Sequence, residues 1–267
     1  MPPDPAAPPA PRRILLDGTG WTLVREGGEA AGLSVASLPT LGQAVADRHA
    51  VRQRLVETDV LLEDGRPTRT VHAALAVLTT AAVEVTVARR QAERTVAGRW
   101  RTLGGPTAGV IVREATTDGA ADGDADGDLG RGVELQLLAI DDLATSVVDE
   151  LLGPDTGDED PLRGDGAGHV DVELAADDPT GWPEGVVVDG EVLAQATVAI
   201  EGPAGTSVAR LWGDGRRWWQ VGATGPDRLR AIAVTRSTVR DTVVAALAGQ
   251  LGSEAPAGGG TGGAGRG

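Results

Sequence analysis

The chain has no cysteine, phenylalanine, tyrosine, lysine or asparagine among its 267 residues. Without cysteine there are no disulfides, thiolate zinc sites, iron–sulfur clusters or cysteine nucleophiles. The missing residues other than cysteine are encoded by AT-rich codons, and all 24 basic residues counted as Lys or Arg are arginine, which reads as the imprint of a GC-rich genome. Long apolar runs are also lacking: none approaches the roughly 20 residues needed to cross a bilayer. The opening MPPDPAAPPAPRRILLD has an arginine pair but meets Asp17 after only Ile14, Leu15 and Leu16, too short a core for a signal peptide. A soluble, cytoplasmic protein without membrane insertion is expected.

Positive charge is in short supply. The formal net charge is −15 and the sequence pI about 4.6. Nucleic-acid binding draws much of its affinity from neutralising phosphates, so a nucleic-acid partner is not expected. What is present is ordinary for a globular chain: 41% hydrophobic residues, mostly Ala, Val and Leu, with six tryptophans as the only aromatics. The length suits one large domain or two small halves.

The pattern divides the chain into a proline-rich tail (1–13), a first half (14–153), an acidic linker (154–168), a second half (169–251) and a glycine-rich tail (252–267). Both tails lack the apolar content for a packed element and read as disordered. In the first half, Trp21, Val24 and Gly27-Gly28 suit a short helix. Residues 43–58 predict a second, with Val45, Val51 and Leu55 inward and Arg48, Arg52 and Arg54 on a basic outer face. A third spans 71–78. Then the period changes to two: Val83, Val85 and Val87 alternate with Glu84 and Thr86, as in a sheet with one buried side. Segments 96–103, 109–113 and 133–140 continue an antiparallel meander, because no helix-length crossover separates them.

A strand end leading into an amphipathic helix then occurs twice. LLAIDDLATSVVDELLG ends on Gly153 with Asp141 as the expected N-cap, and AIAVTRSTVRDTVVAALAG ends on Gly249 with Ser237 as the expected cap. The second half predicts strands at 170–174, 186–188, 191–200, 206–212, 216–221 and 229–234, with Asp214-Gly215 as a hairpin turn. The closing helix, 237–251, sets Val239, Val243, Ala246 and Leu247 on one face.

No motif carries a catalytic, cofactor or metal site. Asp122, Asp124, Asp126, Gly127 and Leu129 match positions of a calcium-binding EF-hand loop, but position 12 is Val133 where a bidentate acid belongs. The flanks alternate like strands where the motif needs helices, so a solvated loop between two strands is expected. His49, His72 and His169 stand in separate elements without zinc spacing. Ser207 lacks a nucleophile elbow. GGPTAG (104–109) lacks the lysine of a phosphate loop and leads into a strand. The most unusual surface candidate is RLWGDGRRWWQV, which combines Arg216, Arg217, Trp218 and Trp219. Trp and Arg are enriched at interface hot spots, and adjacent strand residues face opposite ways, so both rings cannot enter one core. Either one ring packs inside while the other is covered, or the exposed one, with Arg216 and Arg217, meets a partner.

The stretch 51–89, VRQRLVETDVLLEDGRPTRTVHAALAVLTTAAVEVTVAR, resembles the EspG family of ESX (type VII) secretion-associated chaperones of actinobacteria. There a helix leads through a short turn to a second helix and then to a strand of alternating valines. Residues 110–152, GHVDVEL at 168–174, and GDGRRWWQV with the final helix are similar to the later pieces, so the likeness covers about 14–251. The resemblance implies an α+β fold: a central antiparallel sheet with helices packed on it and two quasi-two-fold related halves. It further implies a non-enzymatic cytosolic chaperone or adaptor that binds helical secreted substrates of the PE/PPE type. One departure stands out. The family has a longer helical segment before the later strands, where AADDPTGWPEGVVVDGEV (175–192) is short, turn-rich and strand-like. Two other readings stay open: an interaction scaffold of the same fold with an unrelated partner, and a metal-assisted hydrolase using the Asp-rich loop.

Overall fold

The structure, a computed structural model, describes residues 12–41, 47–91, 94–103, 106–115, 131–153, 171–175, 187–188, 191–192, 194–213 and 217–252. In the first half these form β1 (Arg12–Asp17), α1 (Gly18–Ala30), a 3-10 turn (Val35–Ser37), α2 (Arg48–Glu57), α3 (Arg69–Thr80), β2 (Val83–Gln91), β3 (Arg94–Thr102), β4 (Pro106–Ala115), β5 (Arg131–Ala139) and α4 (Ile140–Leu152). The second half gives β6 (Asp171–Ala175), β7 (Val187–Val188), β8 (Glu191–Val192), β9 (Ala194–Gly202), β10 (Gly205–Gly213), β11 (Trp218–Gly225), β12 (Arg228–Val234) and α5 (Arg236–Gly252). Ten strands join in one sheet, in the order β1-β5-β4-β3-β2-β9-β10-β11-β12-β6, and every pairing is antiparallel. The fold is α+β. No described helix is long and apolar enough to cross a membrane.

The sheet is covered on both faces, and strand periodicity sorts the side chains between them. On one face α4 and α5 pack over Val83, Val85, Val87, Trp100, Ile111, Val198, Ile200, Leu211 and Trp218. On the other, α1, α2 and α3 bury Trp21, Val24, Leu55, Val71, Leu75 and Leu78 against Ile14, Leu16, Val110, Val133 and Leu135. The expectation of one buried side holds for β2, where Val83, Val85 and Val87 are buried and Ala88 is exposed, while the β1-β5-β4 side is covered on both faces. Glu134 and Gln136, which alternate with the apolar residues of β5, are themselves buried. Burial is tolerated because the groups are hydrogen-bonded. Trp100 Nε1 (3.0 Å) and Ser146 Oγ (2.8 Å) both donate to Gln136 Oε1, and Gln136 Nε2 donates to Glu134 Oε1 at 2.8 Å. The Arg13 guanidinium lies 3.6 Å from the same carboxylate.

Several boundaries differ from expectation. The first strand begins at Arg12, inside the expected tail, because Ile14-Leu15-Leu16 forms an edge strand along β5. Its alternation is concealed by Leu15, an apolar residue that faces out at 72% exposure. The second helix starts at Arg48, capped by the Asp47 carboxylate on the His49 N–H (2.9 Å); Val45 lies outside the described residues. Val51 and Leu55 are buried and Arg48, Arg52 and Arg54 stand on the outer face as expected, each with a partner. Arg54 bonds Asp17 at 2.6 Å, Arg48 bonds Glu26 at 2.5 Å, and Arg52 donates to the Glu63 carbonyl. In the following turn, the Arg66 side-chain and backbone hydrogen bonds hold the Asp64 carboxyl below its ordinary range.

Neither expected cap of the amphipathic helices holds. The residue before α4 is Ala139, and Asp141 and Asp142 lie in the first turn, where their charge favours the helix N-terminus. Before α5 the cap is Thr235, whose Oγ1 accepts from the Thr238 N–H at 3.1 Å, with Ser237 already inside the helix. Gly153 does close α4, at φ 86°. The expected linker, the glycine-rich tail beyond Gly252 (which closes α5), the Asp214-Gly215 turn, Trp182 and His169 lie outside the described residues.

The two amphipathic helices are tied to each other through one arginine. Arg236, at the start of α5, bonds Asp149 Oδ1 at 2.7 Å and also donates to the Gly153 carbonyl, which α4 leaves without an intrahelical partner. The site is partly exposed, so Arg236→Ala is expected to cost about 1 to 2 kcal/mol in urea denaturation. A change below about 0.3 kcal/mol would show that the ion pair is solvated and idle.

Candidate functional site

The residues singled out in the tryptophan hairpin do not converge on one surface. Trp218, 5% exposed, enters the core beneath α4 and α5. Trp219, 7% exposed, faces the opposite side with Val221 and Ala231, beside the half-buried Trp212 that pairs with it across the ladder. Of the two readings, the burial agrees with the one in which one ring packs inside and the other is covered: neither ring stands clear of the fold, because adjacent strand residues enter two different clusters. Arg217 is exposed with its guanidinium 5.8 Å from the Trp219 ring centroid, a cation–π contact. Arg216 lies outside the described residues.

The remaining candidates are scattered. His49 is exposed on α2, His72 half-buried on α3, and Ser207 exposed on β10. The Asp-rich stretch at 116–130 lies outside the described residues, while the strands on either side pair antiparallel with Glu114 opposite Arg131. Among the described residues no three His, Asp or Glu side chains group to hold a metal.

The structure instead presents a cleft where the two halves of the sheet meet, on the face carrying α1, α2 and α3. Its volume is about 380 Å³. Helices cover the β1-β5-β4 side of that face, but the central strands β3, β2 and β9 run out from under them. Four strands in register set one row of small side chains across the floor: Val112 opposite Ala97, Ala97 opposite Ala88, and Ala88 opposite Thr197. Ala88 and Ala97 are exposed although they sit near the middle of a ten-stranded sheet. The next row holds Thr86, Arg99 and Val110.

One wall is the chain around Ser37 and Pro39, held at both ends. The Pro39 carbonyl accepts from the buried Trp21 Nε1 at 2.7 Å, and the Ser37 carbonyl accepts from Arg99 Nη1 at 2.9 Å. Arg99 is held in turn by Glu84, 3.1 Å away, which also binds Arg101 at 2.6 Å. Among the described residues the one ionisable group in the lining, Arg99, is thus a fixed part of the wall, paired with an acid next to it. Such a cleft offers shape, apolar contact and carbonyl or hydroxyl edges to a ligand. Nothing in the sequence marked these residues, since Ala88, Ala97 and Thr197 are individually weak strand signals. Only the register across four strands makes them a surface.

No protein-family model matches the chain, and no characterised protein matches it in sequence.

Proposed function

We propose that the protein is a cytosolic, non-enzymatic chaperone or adaptor that binds helical secreted proteins of the PE/PPE type on behalf of a type VII secretion system, seating an apolar helical tip in the central cleft. The observation that carries this reading is the row Val112, Ala97, Ala88 and Thr197, with Ala88 and Ala97 exposed and its two ends half-buried, beside the pinned Ser37–Pro39 wall. Small side chains on a rigid sheet leave room for a protruding apolar side chain, and covering such a tip removes an aggregation hazard without chemistry.

The strand order supports the same reading. Outward from the β2/β9 pair, each half runs through a hairpin, two further strands and then its own first strand at the edge: β2-β3-β4-β5-β1 on one side and β9-β10-β11-β12-β6 on the other. Both hairpins consist of two nine-residue strands, and Thr86-Val87-Ala88 occupies in β2 the place of Thr197-Val198-Ala199 in β9. α4 follows β5 as α5 follows β12. That is the succession expected of quasi-two-fold halves. Between β6 and β9 the described residues hold only the β7–β8 pair, where the family carries helix, so the seat is assigned to the cleft beside the first half's helices.

Co-expression with a PE/PPE-type helical pair tests the reading. The full chain is expected to keep the pair soluble and to co-purify with it, and Ala88→Trp, which fills the cleft from an exposed position, is expected to weaken the complex by about 2 kcal/mol or more with an unchanged melting temperature. Equal solubility of the pair without the chain, or undiminished binding by the variant, would overturn it.

A further inference from the structure

The outer edges of the sheet are β1 and β6. Among the described residues β1 has a strand on one side only, β5. An edge of this kind is a template for another strand unless charge, brevity or a covering segment blunts it. β1 also carries the most exposed large apolar side chain of the described residues, Leu15, at 72%.

We propose that β1 pairs with β1 of a second copy, antiparallel about a two-fold axis at Leu15, so that two ten-stranded sheets become one. Two-fold symmetry perpendicular to the sheet matches like faces, so opposed residues must have the same parity and only alternate registers are available. With Leu15 on the axis, the exposed Leu15 meets its own copy, Ile14 lies opposite Leu16, and Arg13 lies opposite Asp17. The strand is self-complementary because its charges differ in sign at its two ends: Arg12 and Arg13 begin it and Asp17 closes it. Both charged residues already have partners within the chain: Glu134 for Arg13, and Arg54 together with the Gly20 N–H for Asp17. A slip that puts Arg13 on the axis opposes like charges, which is unfavourable.

Other occupants fit less well. The preceding segment holds Pro2, Pro3, Pro5, Pro8, Pro9 and Pro11, and proline has no N–H to give a ladder. Pairing β1 with β6 of another copy is head-to-tail and generates an open filament, whereas β1 with β1 closes on itself.

Sedimentation of the full chain should show a dimer. Leu15→Lys places two ammonium groups face to face and is expected to raise the dimer dissociation constant about tenfold or more, with an unchanged melting temperature because the site is exposed. Since the chain has no cysteine, Leu15→Cys supplies a single thiol, and opposed residues of an antiparallel pair lie about 4.5 to 5.5 Å apart, within disulfide reach. Mild oxidation should therefore link Leu15→Cys as a dimer and leave Val208→Cys, exposed on β10, unlinked. A monomeric wild-type chain, a dimer indifferent to Leu15→Lys, or a dimer in which Leu15→Cys fails to cross-link would each overturn the proposal.

Discussion

Trp100→Ala is expected to remove about 4 kcal/mol of stability in urea denaturation, a large part of the roughly 5 to 15 kcal/mol that holds a typical domain folded. The ring is fully buried in the core beneath α4. It lies across two glycines, one on its own strand and one directly opposite on β4: a Cβ on Gly98 would come within 2.4 Å of the ring, and one on Gly109 within 2.3 Å. Neither neighbour has a side chain to collapse into the vacated space, so truncation leaves a cavity that the sheet cannot fill. The indole N–H also donates to Gln136 Oε1, and alanine withdraws that donor from a buried polar group. A loss below about 2 kcal/mol would show that the sheet relaxes around the gap. Trp100→Phe, which keeps much of the ring and loses the donor, is expected to fall between wild type and alanine.

The same neighbourhood shows what the sequence could reveal and what it could not. Val83, Val85 and Val87 announce β2 because their partners Glu84 and Thr86 alternate in polarity, and all three valines are buried. β4 reaches back to Pro106, three residues before its expected start, because Thr107 and Ala108 give no clear alternation yet pair in register with β3 and β5. Polarity alone does not reveal that Glu134 and Gln136 are buried, since their burial depends on α4 folding back over them with Ser146 and on Trp100 arriving from β3. β1 escapes notice for the opposite reason: with Ile14, Leu15 and Leu16 all apolar, polarity cannot say which face is inside. Helices were legible where an apolar stripe is broad, as in α3 and α4, and their caps were not, because Ser, Thr and Asp near a helix start compete for the same role. The cleft is the extreme case. Its floor is defined by which strands lie side by side, and β2 and β9 are neighbours only because both halves of the chain contribute to one sheet.

The adjacent tryptophans of β11 give the second large effect, and a contrast that tests the division between the faces. Trp218→Ala is expected to cost about 3 to 5 kcal/mol, since the ring lies in the main core with Leu211, Val234, Val239 and Val243 and its truncation opens a cavity there. Trp219→Ala should cost less, about 2 to 3 kcal/mol, because its cluster is small: Val221 and Ala231, flanked by the half-buried Trp212, Leu229 and Ala233. Losing that ring also removes the surface over which the Arg217 guanidinium sits, a contact worth about 0.5 to 1 kcal/mol at an exposed site. Urea denaturation of both variants, with co-purification of a helical partner measured in parallel, distinguishes packing from recognition. If both lose stability in this order and Arg217→Ala still binds, the hairpin serves the fold and recognition lies elsewhere on the sheet. If Trp219→Ala instead keeps its full stability while losing the partner, its ring belongs to the interface, and the apolar surface that meets the substrate extends from the central cleft across β10 and β11.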